Sequence, residues 1–244
     1  MSGAPIGPAP GKPRNPALLV ADTDAVIQLV VGDCISILKS LKDTYGIQVT
    51  VMPAVKSELL LKAERKFARY KKPILKTFDS EVIELLDANL LASKGWASPD
   101  RVVGQIDELG GRYINFVDRG EAYSYAAANL LRLPLLSNDG AAIGDLLDSR
   151  ITLPNNLLRA FDVIVFGNQI QILSGDDCDG IRKKLVQEEE HVPKCFANTN
   201  YKTGLGGFFA RLADRQYAPI GSDVGVVKLD TRLWIDVKPA SATP

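Results

Sequence analysis

The sequence predicts an α/β protein built around a parallel sheet. Short apolar runs rich in β-branched residues alternate with longer helical patterns, which is typical of a chain that builds βαβ units. The chain has 244 residues, of which 46% are apolar (AVILMFWYC). This length and composition suffice for one sizeable core but not for several large domains.

The first two strands are each followed by a helix. Residues 18–21 form an apolar strand that stops at Asp22-Thr23-Asp24, whose short side chains are good N-caps for a helix over residues 26–38. Ile47–Val51 is the second strand, and Pro53 suits the first turn of a helix over residues 54–70. Residues 1–17, which precede these elements, hold five prolines and three glycines and predict a flexible tail rather than a signal peptide.

Three further strands are expected before residue 155. Residues 113–117 form the third, which is followed by an alanine-rich helix over 121–131. Residues 135–136 form the fourth, and residues 151–153 are a fifth candidate. The intervening segment 73–112 is predicted to be a helical insertion with helices at 78–91 and 101–109.

The rest of the chain is predicted to be an extension of this domain. It contains an apolar helix at 157–165, a charged helix at 179–190, and a C-terminal hairpin whose strands lie at 225–229 and 233–237. We therefore divide the chain into a tail (1–17), a main domain (18–154) and a helical and hairpin extension (155–244).

Composition narrows the functional classes. Lys and Arg total 29 against 29 Asp and Glu, so any surface that binds phosphate must be local. Three widely spaced cysteines disfavour a disulfide framework and fit a reducing compartment, the cytoplasm. One histidine and no CxxC pair exclude a His/Cys zinc site and leave oxygen ligands for any metal. No apolar run approaches the ~18 residues that a membrane span needs.

Four acidic residues lie shortly after predicted strands: Asp22, Glu58, Glu121 and Asp139. The carboxyl ends of parallel strands form one edge of the sheet, where ligands bind in open α/β folds. Carboxylates gathered there repel one another unless a divalent cation neutralises them, and oxygen-only ligands suit Mg²⁺ or Mn²⁺. Such a site is suited to phosphodiester hydrolysis.

Each acid also has a purely structural interpretation. Asp22-Thr23-Asp24 is N-cap chemistry, Asp118 and Glu121 are spaced as in a capping box, and Asp139 belongs to an Asn-Asp-Gly turn signal. Their joint position after successive strands favours the metal site.

Over residues 18–154 the chain resembles the PIN-domain nucleases. The resemblance lies in LVADTD at 19–24, VMPAVKSEL at 51–59, DRGEA at 118–122 and LLSNDG at 135–140. It implies a three-layer α/β/α fold in which acids at the positions of Asp22, Glu58, Glu121 and Asp139 hold Mg²⁺ or Mn²⁺ and cut RNA, less often DNA. Asp24 and Asp118 are further candidate ligands. Thr23 is expected to hold Asp22 in position without being a ligand itself.

The resemblance also implies partners. The chain is similar to toxins of the VapC type and to defence nucleases of bacteria, so an antitoxin or another protein partner and a homodimer are expected. Common toxins of that group are shorter, which leaves the role of residues 155–244 open.

A basic segment follows Glu58 in the sequence. Residues 62–76 carry seven basic side chains and one acid, and on a continuous helix Lys62, Arg65 and Arg69 share the face of Glu58. A nucleic-acid backbone along this stripe would lead to the metal site, with Phe67 or Tyr70 stacked on a base. Equally open is a solvated helix face whose aromatic residues enter the core.

Arg119, next to Glu121, is a further candidate for phosphate contact. It is the remaining basic residue among our candidate contacts to nucleic acid.

Two other functions compete with the nuclease. The run Asp22-Thr23-Asp24 fits the nucleophile loop of phosphatases similar to haloacid dehalogenases, with Ser137 on the phosphate and Asp176-Asp177 on Mg²⁺. That scheme lacks its expected lysine and leaves Glu58 unused. The other alternative is an inactive PIN-like module that binds RNA or a protein, with the acids as helix caps.

Overall fold

The fold is a five-stranded, all-parallel sheet with helices packed against it, as a computed structural model of residues 17–138, 157–190 and 192–213 shows. The strand order is β3-β2-β1-β4-β5. The strands are β1 (Ala17–Ala21), β2 (Ile47–Val51), β3 (Ile83–Leu85), β4 (Leu135–Leu136) and β5 (Leu157–Leu158). The expected α/β class and three-layer α/β/α arrangement are confirmed.

Helices fill the connections between strands and continue after the sheet. They are α1 (Thr23–Val31), α2 (Ile35–Tyr45), α3 (Pro53–Ala63), α4 (Lys71–Asp79), α5 (Ala88–Ser93), α6 (Pro99–Tyr113), α7 (Arg119–Leu131), α8 (Ala160–Gln169), α9 (Gly175–Gln187), α10 (Lys194–Ala197) and α11 (Tyr201–Ala213). A short 3₁₀ helix lies at Ala68–Tyr70. Among the parts of the chain described above, no helix is long and apolar enough to cross a membrane.

The central strands are buried because helices cover both faces of the sheet. Every residue of β2 is buried, and so are Leu18, Leu19 and Val20 of β1. The sequence of β1 is continuously apolar, which is the pattern of such doubly covered strands, whereas β2 also buries the polar residues Gln48 and Thr50. The sequence signal for β1 and β2 was therefore strong.

The order of the strands creates a switch point beside β1. The chain runs from β1 to β2 and β3 on one side, and then returns to place β4 and β5 on the other side. The backbone N–H of Asp22 donates to the carbonyl of Leu136 at 3.0 Å, which joins the carboxyl ends of β1 and β4. Ligand sites in open α/β sheets lie at such points.

The predicted third strand at 113–117 is wrong. Tyr113 ends α6, and the N–H groups of Phe116 and Val117 donate back to its carbonyl at 2.9 and 3.2 Å, which forms a turn into α7. The actual third strand, β3, lies inside the segment predicted as a helix at 78–91. Its pairing with β2 from Val49 to Val51 overrides the local helical pattern.

Two predicted helices are shorter than expected. The helix expected over 54–70 ends at the buried Ala63, because a further turn over the exposed charged residues 64–66 would bury no apolar surface. The helix expected over 26–38 is split into α1 and α2 at residues 32–34, where Asp33 has a φ of 59°.

The sheet continues past residue 154, where we placed the end of the main domain. The segment 157–165, expected to be wholly helical, begins with β5, which pairs with β4 in parallel. The charged helix expected at 179–190 is α9, and strand 135–136 and helix 121–131 are found as β4 and α7. The candidate strand at 151–153, the C-terminal hairpin, Asp139 and nearly all of the tail lie outside the described residues.

Candidate functional site

Asp22 lies at the centre of the candidate site. It follows β1 directly and caps α1, since its Oδ1 accepts a hydrogen bond from the N–H of Ala25 at 2.7 Å. Asp22 is only 1% exposed. The N-cap interpretation is therefore correct, and it is compatible with a ligand role because a carboxylate offers two oxygens.

Glu58, in the second turn of α3, is brought to the same place by Thr23. The Thr23 hydroxyl donates to Glu58 Oε2 at 2.8 Å, across 35 residues of sequence. Thr23 is buried, whereas Glu58 is half-buried. Thr23 thus orients Glu58, although we expected it to support Asp22.

The start of α7 lies against Thr23 and Glu58. A Cβ atom on Gly120 would lie 2.3 Å from Glu58 Oε2 and 3.0 Å from Thr23 Oγ1, so any larger residue here would displace the Glu58 carboxylate. Glu121 is the next residue and is half-buried. Ser124 ties the helix to β1, because its hydroxyl donates to the carbonyl of Gly120 at 2.8 Å and lies 3.5 Å from that of Ala21.

Lys62 contacts two of the candidate acids, Asp24 and Glu58, which we call the acidic group, and it does not lie on an open basic stripe. Its Nζ is 2.8 Å from Asp24 Oδ1 and 2.9 Å from Glu58 Oε1. Partial burial opposes the charge on this ammonium, but the hydrogen bonds and charges of Asp24 and Glu58 outweigh it and raise the pKa of Lys62 above its usual value. The lysine is therefore a charged member of the site.

The predicted basic stripe does not form one helix face. Because α3 ends at Ala63, Arg65 and Arg69 follow it on a turn and on the short 3₁₀ helix. Arg69 forms an ion pair with Glu188, the C-cap residue of α9. Phe67 and Tyr70 are buried in the core and are not available to stack on a base, as the structural interpretation of the run expected.

The loop before α7 presents other exposed groups beside the acids. Phe116 is 46% exposed and Ile114 is 42% exposed. Asp118 and Arg119 are also exposed, and the Arg119 guanidinium lies 5.8 Å from the centre of the Tyr123 ring. Asp118 stands at the N-cap of α7 without a side-chain capping bond.

The donor chemistry of the site fits a hard divalent cation, since Asp22, Glu58 and Glu121 offer only oxygen. Within residues 17–138, 157–190 and 192–213, no three histidine, cysteine or acidic side chains are close enough together to hold a metal ion. Asp139 lies outside these residues. A ligand set built on the predicted acids therefore depends on Asp139 or on movement of side chains such as Lys62.

The groups required for the phosphatase alternative have other contacts. Asp177 completes the capping box of α9 with Ser174, and these hydrogen bonds lower the pKa of its carboxyl group. The Ser137 hydroxyl lies 3.3 Å from that of Tyr125. Asp24, which that scheme would use as its general acid, forms an ion pair with Lys62.

The sequence analysis missed one buried acid at this edge of the sheet. Asp162 follows β5, and its Oδ2 accepts a hydrogen bond from the N–H of Arg159 at 2.7 Å. Asn138, which follows β4, accepts from the N–H of Ala160 at 3.1 Å and so joins the two strand ends. The signal for Asp162 was an acid after an apolar pair, but we read that pair as part of a helix.

No family model, curated protein or solved structure matches this chain.

Proposed function

We propose that this protein is an endonuclease that depends on Mg²⁺ or Mn²⁺ and hydrolyses phosphodiester bonds, with RNA as the preferred substrate. The observation that carries the proposal is the convergence of β1, α3 and α7 at the switch point of the sheet. There Thr23, Glu58 and Gly120 are in direct contact beside Asp22 and Glu121.

In this proposal Asp22, Glu121 and Asp139 hold the cation, and Glu58 completes the site or orients the attacking water. Such an ion, when bound, supplies the Lewis-acid chemistry of phosphodiester hydrolysis. Thr23 fixes the orientation of the Glu58 carboxylate by holding its Oε2.

Exposed groups beside the acids suit a single-stranded nucleic acid. Phe116 is 46% exposed, so we expect an unpaired base to stack on its ring and Arg119 to contact a phosphate. These residues take the role that the sequence assigned to Phe67 and Tyr70. We further propose that the protein acts in the cytoplasm, in line with its three widely spaced cysteines. An antitoxin partner, a role in defence and a homodimer stay predictions of the resemblance.

The test is cleavage of labelled single-stranded RNA and DNA by the purified protein with Mn²⁺ and with EDTA, for the wild type and Asp22→Asn. Asn caps a helix about as well as Asp, so the unfolding free energy should change by less than about 0.5 kcal/mol. Cleavage by Asp22→Asn should fall by more than about a hundredfold, because even an outer-shell partner of a metal is worth up to that factor.

Two results would contradict the proposal. If Asp22→Asn cleaves RNA at the rate of the wild type, or if cleavage persists in EDTA, the acids do not take part in the reaction. Release of phosphate from p-nitrophenyl phosphate without any cleavage of RNA or DNA would instead favour the phosphatase.

A further inference from the structure

The carboxylate of Glu58 is held from two sides. Thr23, which is 3% exposed, binds Oε2 from the protein interior. Lys62, whose side chain is 35% exposed, binds Oε1 from the solvent side. A ligand that enters from solvent therefore meets Oε1, and Lys62 occupies that oxygen.

The Lys62 ammonium lies between two carboxylates, a position that suits a cation. It bridges the carboxylates of Asp24 and Glu58, which approach from α1 and α3, and it balances the charge of one of the two carboxylates, so that the three side chains together stay negative. Lysine carries a compact, strongly hydrated charge on a flexible four-carbon stem, so its head can leave one partner for another while the stem stays packed.

We propose that Lys62 is the resident cation of this site, which a divalent metal displaces from Glu58, and that the released ammonium then contacts a phosphate of the substrate. This inference rests on the proposed function. Two like charges cannot share Glu58 Oε1, and the metal and the lysine therefore compete for it. Lys62 thus weakens metal binding and strengthens substrate binding, two effects of opposite sign.

The first measurement is the Kd for Mn²⁺ by calorimetry, on the full chain without substrate. Lys62→Met keeps the length of the side chain and removes its charge, so Mn²⁺ should bind about three- to tenfold more tightly. Lys62→Arg keeps the charge and should bind Mn²⁺ like the wild type. Lys66→Met is the matched control, because Lys66 is exposed, four residues further along, and lies over the Phe67 ring.

The second measurement is the KM for single-stranded RNA at saturating Mn²⁺. Lys62→Met should raise the KM about three- to tenfold and flatten its dependence on salt, since one fewer counterion is released. A lysine with a merely structural role would weaken both Mn²⁺ and RNA binding on removal, or neither.

The outcomes separate this inference from the proposed function. If the wild type binds Mn²⁺ and Lys62→Met binds it equally or more weakly, the displacement of Lys62 is overturned while the nuclease proposal stands. If neither protein binds Mn²⁺, both ideas fall. Tighter binding of Mn²⁺ by Lys62→Met, including binding by that variant alone, supports the displacement.

Discussion

At the scale of single residues, Asp162 shows how a carboxylate at the sheet edge is held. Its side chain caps the first turn of α8 through the N–H of Arg159, and the residue is 8% exposed. Burial raises the pKa of this carboxyl group to about 6, against the lowering effects of the hydrogen bond and of the Arg159 charge. Desolvation therefore dominates over the local partners.

This raised pKa predicts a loss of stability as pH increases. Between pH 4 and 6 the folded protein binds more protons than the unfolded chain, so the contribution of Asp162 to the unfolding free energy falls as pH rises through that window. Asp162→Asn keeps an acceptor for the cap but does not ionise. We expect the stability of the wild type relative to Asp162→Asn to fall by about 2 kcal/mol from pH 4.5 to 7.5.

Urea unfolding of both proteins at the two pH values measures this difference. An equal difference at pH 4.5 and 7.5 would mean that Asp162 has the same protonation state in the folded and unfolded chain. The variant also provides the control, because titration of every other group is common to both proteins.

At the scale of elements, the start of α7 depends on a glycine. Gly120→Ala places a Cβ 2.3 Å from Glu58 Oε2, so Glu58 must leave Thr23 or α7 must shift. Overpacking of this kind costs about 1–3 kcal/mol of stability. We expect that loss in urea unfolding, together with a fall of about tenfold or more in Mn²⁺-dependent cleavage, because small misplacements of a site are costly.

Gly104→Ala is the matched control for this substitution. Gly104 is exposed within α6 and has no atom within 4 Å of a Cβ placed on it. Alanine there should stabilise the protein by about 0.5–1 kcal/mol through helix propensity and leave cleavage unchanged. If Gly120→Ala cleaves RNA like Gly104→Ala, α7 is not part of the site.

The elements that the sequence predicted well carry agreeing local signals. β1 and β4 are apolar runs that end at polar residues, β2 is rich in β-branched residues and is followed shortly by Pro53, and α7 is rich in alanine. β3 has only three residues and depends on its pairing with β2, which local patterns do not contain. The run at 113–117 has β-branched and aromatic residues, yet packing extends α6 to Tyr113.

The arrangement of the candidate site could also be predicted only in part from the sequence. Acids that follow strands directly can be found from sequence, as Asp22 was, because the sheet brings strand ends together. The spacing of Glu58 and Lys62 predicted a shared helix face, and they do form an ion pair. What spacing does not contain is the contact of Lys62 with Asp24 on another helix, which turns a candidate phosphate ligand into a member of the acidic group.

At the scale of the whole molecule, the described residues from 157 to 208 contribute to the core. Phe161 of α8 and Phe196 of α10 are buried with ring centres 4.4 Å apart, and Cys178 of α9 is also buried. A Cβ on Gly167 of α8 would lie 2.9 Å from the side chain of Ile37 on α2, so α8 packs closely against the first half of the chain.

Because α8 packs against the first half of the chain, we predict that a chain truncated after residue 154 does not fold. The cut removes β5 and α8, including Phe161 and Ile164, which are at most 1% exposed, and it uncovers the apolar face that they protect. Each such side chain contributes about 1.5–3 kcal/mol, so a few of them equal the total stability of a typical domain, about 5–15 kcal/mol. A chain of residues 1–213 keeps all the strands and helices described and should unfold cooperatively in urea, whereas residues 1–154 should show no cooperative transition. Cooperative unfolding of residues 1–154 at the same urea midpoint would mean that the main domain does end there, and that β5 and α8 only cover a core that is already complete.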